Sequence, residues 1–265
     1  MEKNILKRVA SLALAVVMML SVIAIIPETA KAADLGKTVT GSGKRPVTIS
    51  DEQCYTATGQ FYWIKFKAKK DGYVSVKASN ASEISSYTRG VWTLYNSKKN
   101  KMLSPTVEYD TNRTDSYYFT DYYGVKKGTT YNLRVQALVG TKVTLTFKDV
   151  KESSGSKKSK AKSLKKGKEI TGLMIAGDKS SDWYKVNLGS SAWLKLDLKL
   201  YISDKVRVEI KGPGIYDTRK IYDYRFNGEK IKLRWSGKVR KGTYYIQIKP
   251  ETGTSTGAYK LKWLK

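Results

Sequence analysis

From residue 182 onward, apolar and polar residues alternate in short runs. These are DWYKVNL (182–188), WLKLDLKL (193–200), VRVEI (206–210), IKLRW (231–235), YYIQI (244–248) and YKLKW (259–263). A period of two predicts strands with one buried and one solvated face. Gly212-Pro213-Gly214 and Asn227-Gly228 punctuate these runs as turns, the second being a strong hairpin signal.

The first half follows the same plan. LGKTVTG (35–41) answers LKKGKEITG (164–172), WIKF (63–66) answers WYKV (183–186), and YVSVKA (73–78) answers WLKLDL (193–198). VWTLY (91–95) stands for VRVEI, VKKGTTYNLRV (125–135) for VRKGTYYIQI (239–248), and VTLTF (143–147) for YKLKW. Neither half contains a helix-period segment. Two copies of one all-β unit are therefore expected, each a β-sandwich, over residues 33–150 and 164–265. Between them KESSGSKKSKAKS (151–163) holds few apolar residues and many like charges, so it reads as a basic linker.

Residues 1–32 read as a secretory signal peptide: Lys3, Lys7 and Arg8, an apolar run over 12–26, and Ala30-Lys31-Ala32 as a cleavage site. The run is shorter than the roughly 18 apolar residues of a membrane span, and no later segment is apolar enough to span. The expected location is extracellular. With no cysteine directly after the apolar run and no hydrophobic tail, any retention at a cell surface would be non-covalent.

Composition narrows the chemistry. The chain has no histidine and one cysteine. This removes Ser-His and Cys-His nucleophile pairs, histidine-bound zinc and any intramolecular disulfide. Cys54 is either a small buried side chain or a partner for another chain, and no site is assigned to it. No acids stand in a carboxylate-pair motif of the glycosidase kind, so an enzyme is not expected; a carboxylate-dependent glycosidase or lyase is the remote alternative. The formal charge is +27. It is uneven, with 18 Lys and Arg against 10 Asp and Glu over 34–150, and 28 against 11 over 151–265. Such a field attracts anionic polymers and weakens with salt; nucleic acid would be held only non-specifically.

Each half resembles the bacterial pre-peptidase C-terminal domain. The resemblance rests on the opening Leu…Gly…Thr-Gly, the Asp182-Trp183-Tyr184-Lys185-Val186 strand, the GTYYIQI strand at 242–248, and the closing Gly257-Ala258-Tyr259-Lys260-Leu261. It covers residues 164–263 closely and 35–147 more loosely. It implies a jelly-roll type of sandwich, related in shape to clostridial collagen-binding domains, and an extracellular, non-catalytic binding or accessory role. Calcium-binding relatives use clustered acids. Here Asp178 with Asp182, and Asp51 with Glu52, are thin groups that read as turn residues. No metal, cofactor or binding residue is carried over.

Alternation also sorts candidate binding residues. Trp183 and Trp193 share the outward phase of neighbouring lysines, with Trp63 and Tyr73 at the matching places in the first repeat. Outward rings on successive strands would stack on a sugar, unless a loop covers them. Lys232 with Arg234, and Lys260 with Lys262, form rows along their strands without an intervening acid, a candidate basic surface. Tyrosines at 109, 117, 118, 122 and 123, answered by Tyr222 and Tyr224, supply a third patch suited either to recognition or to half-exposed strands. The expected function is a secreted binding or accessory protein for anionic or glycan polymers of a cell wall or extracellular matrix, such as acidic polysaccharide or teichoic acid. The alternative is an adhesin or subunit that binds another exported protein through its tyrosines.

Overall fold

The computed structural model describes residues 44–48, 62–80, 89–110, 118–137, 141–222 and 230–264. The expected signal peptide, Cys54, Asp51 with Glu52, and the expected Asn227-Gly228 turn lie outside the described residues.

The first repeat contributes β1 (Lys44–Thr48), β2 (Tyr62–Lys67), β3 (Gly72–Asn80), β4 (Arg89–Tyr95), β5 (Val107–Asp110), β6 (Tyr118–Val125), β7 (Thr130–Ala137) and β8 (Thr141–Asp149). They form two four-stranded sheets, ordered β1-β8-β3-β6 and β2-β7-β4-β5. All pairings within them are antiparallel. The second repeat contributes β9 (Lys162–Ser163), β10 (Glu169–Met174), β11 (Asp182–Leu188), β12 (Leu196–Ser203), β13 (Lys205–Gly212), β14 (Ile215–Tyr222), β15 (Lys230–Leu233), β16 (Gly242–Pro250) and β17 (Thr256–Trp263). Its sheets run β10-β17-β12-β15 and β14-β13-β16-β11-β9. Adding nine to each label of the first repeat reproduces the second, with β9 as an extra edge. The protein is all-β, two tandem jelly-roll sandwiches of one topology.

The expected alternation is what builds the two cores. Ile64, Phe66, Val74, Val76, Leu94, Leu133, Leu145 and Phe147 turn inward in the first sandwich, and Phe66 stacks on Tyr131 at 5.6 Å. In the second, Leu194, Leu196, Leu198 and Leu200 from one sheet meet Val206, Val208, Ile246 and Ile248 from the other. Their polar alternates face solvent because successive side chains of a strand point to opposite sides of the sheet.

Residues 151–163 depart from the expected linker. Gly155 and Trp183 exchange both backbone hydrogen bonds, at 3.0 and 2.8 Å, a 3-10 turn follows over Lys158–Lys160, and β9 runs parallel to β11. The open edge of β11 explains this. An unpaired row of N–H and C=O groups accepts a polar strap through backbone bonds, and Ser154, Glu152 and the buried Ala161 add side-chain contacts.

The sandwiches also join directly. Gly124 of β6 bridges to Ile175, just beyond β10. The Gly124 N–H donates to Thr256 Oγ1 at 2.9 Å, and the Ala176 N–H donates to the Gly124 carbonyl at 2.8 Å. Ala176, from the second repeat, is buried in the core of the first. Val150, Leu173 and Ala258 make a small third core along this seam, with Tyr73 and Ile175 packed against it. A Cβ on Gly124 would lie 2.1 Å from the Met174 carbonyl oxygen, so the contact requires glycine.

Candidate functional site: the seam between the sandwiches

Three tyrosines converge at the seam. Tyr73 on β3, Tyr122 on β6 and Tyr201 on β12 all point outward, and all three are half-buried. Tyr73 and Tyr201 lie nearly parallel (9°) with ring centroids 6.2 Å apart. Tyr122 meets Tyr73 edge-on at 6.0 Å and Tyr201 edge-on at 5.4 Å. Beside Tyr73 and Tyr201 an open cleft of about 400 Å³ is walled by Lys148 and Lys151 from one side and Glu169 and Lys260 from the other. Lys260 Nζ is 3.1 Å from Glu169 Oε1, and that hydrogen bond raises the lysine's pKa. Burial, then the neighbouring Tyr201, raises the Tyr73 hydroxyl, while Lys260 pulls it down. The cleft therefore joins aromatic surface to phenol, ammonium and carboxylate groups, the combination that orients a polar ligand with apolar faces.

The sheet beyond the cleft carries two unlike rows. Across β10, β17, β12 and β15 the register aligns Glu169, Lys262, Asp197 and Lys232, which alternate in sign. One step nearer the seam it aligns Thr171, Lys260, Lys199 and Lys230, with no acid among them. Lys260 reaches back to Glu169, and Lys230 lies 3.8 Å from Asp197.

These placements separate the expected site residues. Tyr73 and Lys260 meet in the cleft. Trp63 does not join them: it lies on the β2-β7-β4-β5 sheet, edge-on to Tyr95 at 5.1 Å with Lys99 over its ring at 4.7 Å. Jelly-roll connections pass the chain from one sheet to the other, so the outward faces of β2 and β3 look away from each other. The same separates Trp183, half-buried behind the strap, from Trp193, which is 48% exposed ahead of β12. Nor does Trp193 correspond to Tyr73. Tyr73 lies within β3, whereas Trp193 lies ahead of β12.

The basic rows are also redrawn. The Arg234 guanidinium binds Asp197 Oδ1 at 2.7 Å and the Leu196 and Leu233 carbonyls. Lys232 and Lys262 both face Asp197 in the register. The acids missing along each strand are supplied by the strand beside it. Tyr122 belongs to the tyrosine patch expected from the sequence, whereas Tyr201, Lys199 and Lys230 were not singled out, because only the register of non-adjacent strands brings them together.

A second polar cluster fixes the strap. Asp182, buried at the start of β11, accepts from Tyr259 at 2.5 Å and Ser154 at 2.8 Å, and the Tyr184 and Tyr259 hydroxyls are 2.8 Å apart. Glu152 is solvent-exposed as a residue, but its carboxyl end turns into the fold and accepts from the Leu173 N–H at 3.3 Å. Burial and then the Asp182 charge push Glu152 up to about 7, and burial also raises Asp182. Two facing carboxyls are thus held with a shared tendency to keep a proton. Among the described residues no three Asp, Glu, Cys or His side chains are grouped to hold a metal ion, and no helix is long and apolar enough to cross a membrane.

No family model and no curated protein matches the chain. Among solved structures it is similar to the pre-peptidase C-terminal domain of a collagenase from Bacillus anthracis. That likeness has a TM-score of 0.31 and 19% identity, over 38% of this chain and 92% of that one. It is also similar to the N-terminal CBM22-1-CBM22-2 tandem of Paenibacillus barcinonensis Xyn10C, with a TM-score of 0.23 and 8% identity, over 83% and 84% of the two chains. Against tripeptidyl peptidase 2 the TM-score is 0.32 and the identity 8%, and the chain spans 24% of that protein. The chain's own strand order makes it a tandem of jelly-roll β-sandwiches.

Proposed function

We propose that the protein is an exported, non-catalytic binding protein that holds a glycan or anionic polymer of a cell wall or extracellular matrix at the seam between its sandwiches. The observation that carries this reading is the convergence of Tyr73, Tyr122 and Tyr201 beside an open cleft rimmed by Lys148, Lys151, Glu169 and Lys260. Ring faces take the apolar face of a sugar, and the rim takes its hydroxyls and acidic groups. Residues from both sandwiches are needed, which gives the fixed tandem a purpose beyond duplication. The test is retention of the mature protein on purified walls, with and without their anionic polymer, across a salt series. Tyr201→Ala should weaken retention about tenfold, the scale of losing a buried aromatic anchor. Unchanged retention by a folded Tyr201→Ala variant overturns the seam as the site. Salt-insensitive binding to a protein component instead would favour the tyrosine-mediated protein partner.

A further inference from the structure

We infer that the polymer is an acidic polysaccharide with one carboxylate per sugar, and that it leaves the seam across the strands of the second sandwich, its charges met in turn by Lys260, Lys199 and Lys230. This rests on the seam reading and specifies its ligand. Neighbouring strands lie about 4.8 Å apart, so the row presents an ammonium at each strand step. That step is close to the advance of one pyranose along an extended chain. Like charges directly opposite one another across a sheet are unfavourable. The adjacent row avoids this, alternating Glu169, Lys262, Asp197 and Lys232 on the same four strands.

The other sheet offers a control within the molecule. There Lys220, Arg207 and Lys249 also stand abreast. Glu251 lies between Lys220 and Arg207, however, and Glu209 binds Lys249 and Lys211. Each of those cations has a carboxylate partner; in the lysine row Lys260 pairs with Glu169 and Lys230 lies 3.8 Å from Asp197, so the contrast rests on Lys199. Lys199 has two lysines as its cross-strand neighbours and no carboxylate partner among the described residues. An uncompensated cation in the middle of a row that begins inside the cleft is placed for a ligand anion. Lysines suit it, being compact point charges that need no bidentate geometry.

The full mature chain would be titrated with soluble polygalacturonate, with a neutral β-glucan of equal length, and with a glycerol-phosphate teichoic acid, over a salt series. The Lys199→Gln/Lys230→Gln variant should bind polygalacturonate about 5- to 30-fold more weakly, and its log-affinity against log-salt slope should fall by about two. Its urea midpoint serves as the check that folding is intact. If the variant matches the native protein in affinity and salt slope while Tyr201→Ala is impaired, the lysine row is refuted and the seam stands. If Tyr201→Ala is unimpaired, the seam reading falls, whatever the lysines do. Tighter, row-dependent binding of the teichoic acid, or equal binding of the neutral glucan, overturns the assignment to a polyuronate.

Discussion

Replacing Gly124 with alanine tests the seam without touching any side chain that lines the cleft. Gly124 has ordinary strand geometry, so β6 itself tolerates alanine. The added methyl would meet the Met174 carbonyl oxygen at 2.1 Å and the Gly257 carbonyl oxygen at 2.8 Å, both backbone atoms of the second sandwich. Neither can move without shifting β10 or β17, so the sandwiches must part. Parting breaks the Gly124 bonds to Thr256 and Ala176 and draws the Ala176 methyl out of the first core. Two hydrogen bonds and one buried methyl together are worth about 2–4 kcal/mol. Loss on that scale would leave each sandwich folded and free the pair to hinge. Small-angle scattering should show a larger radius of gyration and limited proteolysis a new cut near the seam. Glycan retention should fall at least as far as in Tyr201→Ala. A Gly124→Ala protein with native radius, native protease resistance and native retention would refute the claim that this contact builds the site.

Other outcomes follow from buried and paired charges. Asp121 is buried in the first core, its Oδ2 enclosed beside Tyr123 and Trp92 without a well-aligned hydrogen bond, and burial pushes its pKa from 3.8 up to about 7. A raised acid pKa means the folded state holds the proton more tightly. Its effect is therefore greatest stability below pH 4, lost progressively as the pH rises toward 7. Asp121→Asn removes that dependence, so urea midpoints at pH 4 and 8 should show the variant gaining up to about 4 kcal/mol relative to the native chain; parallel curves would contradict it. Glu251 is held down to about 2 by hydrogen bonds from Arg207 and then Lys220. Glu251→Gln should lower the melting temperature at pH 7, with the difference vanishing near pH 2. Trp193→Ala, at a position already half in water, should change stability by less than about 0.5 kcal/mol and leave polymer retention intact.

The period of two in the sequence determined the strands, and the recurring phrases determined that there are two copies of one domain. Both are local properties. Which side of Leu196 or Val206 is buried depends only on neighbours along the chain, and each repeat must bury the same inward residues. The direction a sheet faces is not local. Trp63 and Tyr73 share an outward phase yet face away from each other, because the jelly roll carries β2 and β3 into different sheets. The strap over Trp183 was hidden for a different reason. Its pairing with β11 uses backbone groups that every residue carries, and its side-chain bonds from Ser154 and Glu152 go to partners distant in sequence, so the local composition gave no sign of it. Row chemistry likewise belongs to register. Lys232 and Arg234 look uncompensated along their own strand, while Asp197 on β12 binds Arg234 and stands opposite Lys232. Lys199 looks balanced by Asp197 along its strand, but across strands its neighbours are Lys260 and Lys230. The sequence by itself settled which residues point out of each sheet. Only the tertiary structure decided which of them stand together, because cross-strand neighbours come from strands far apart in the chain.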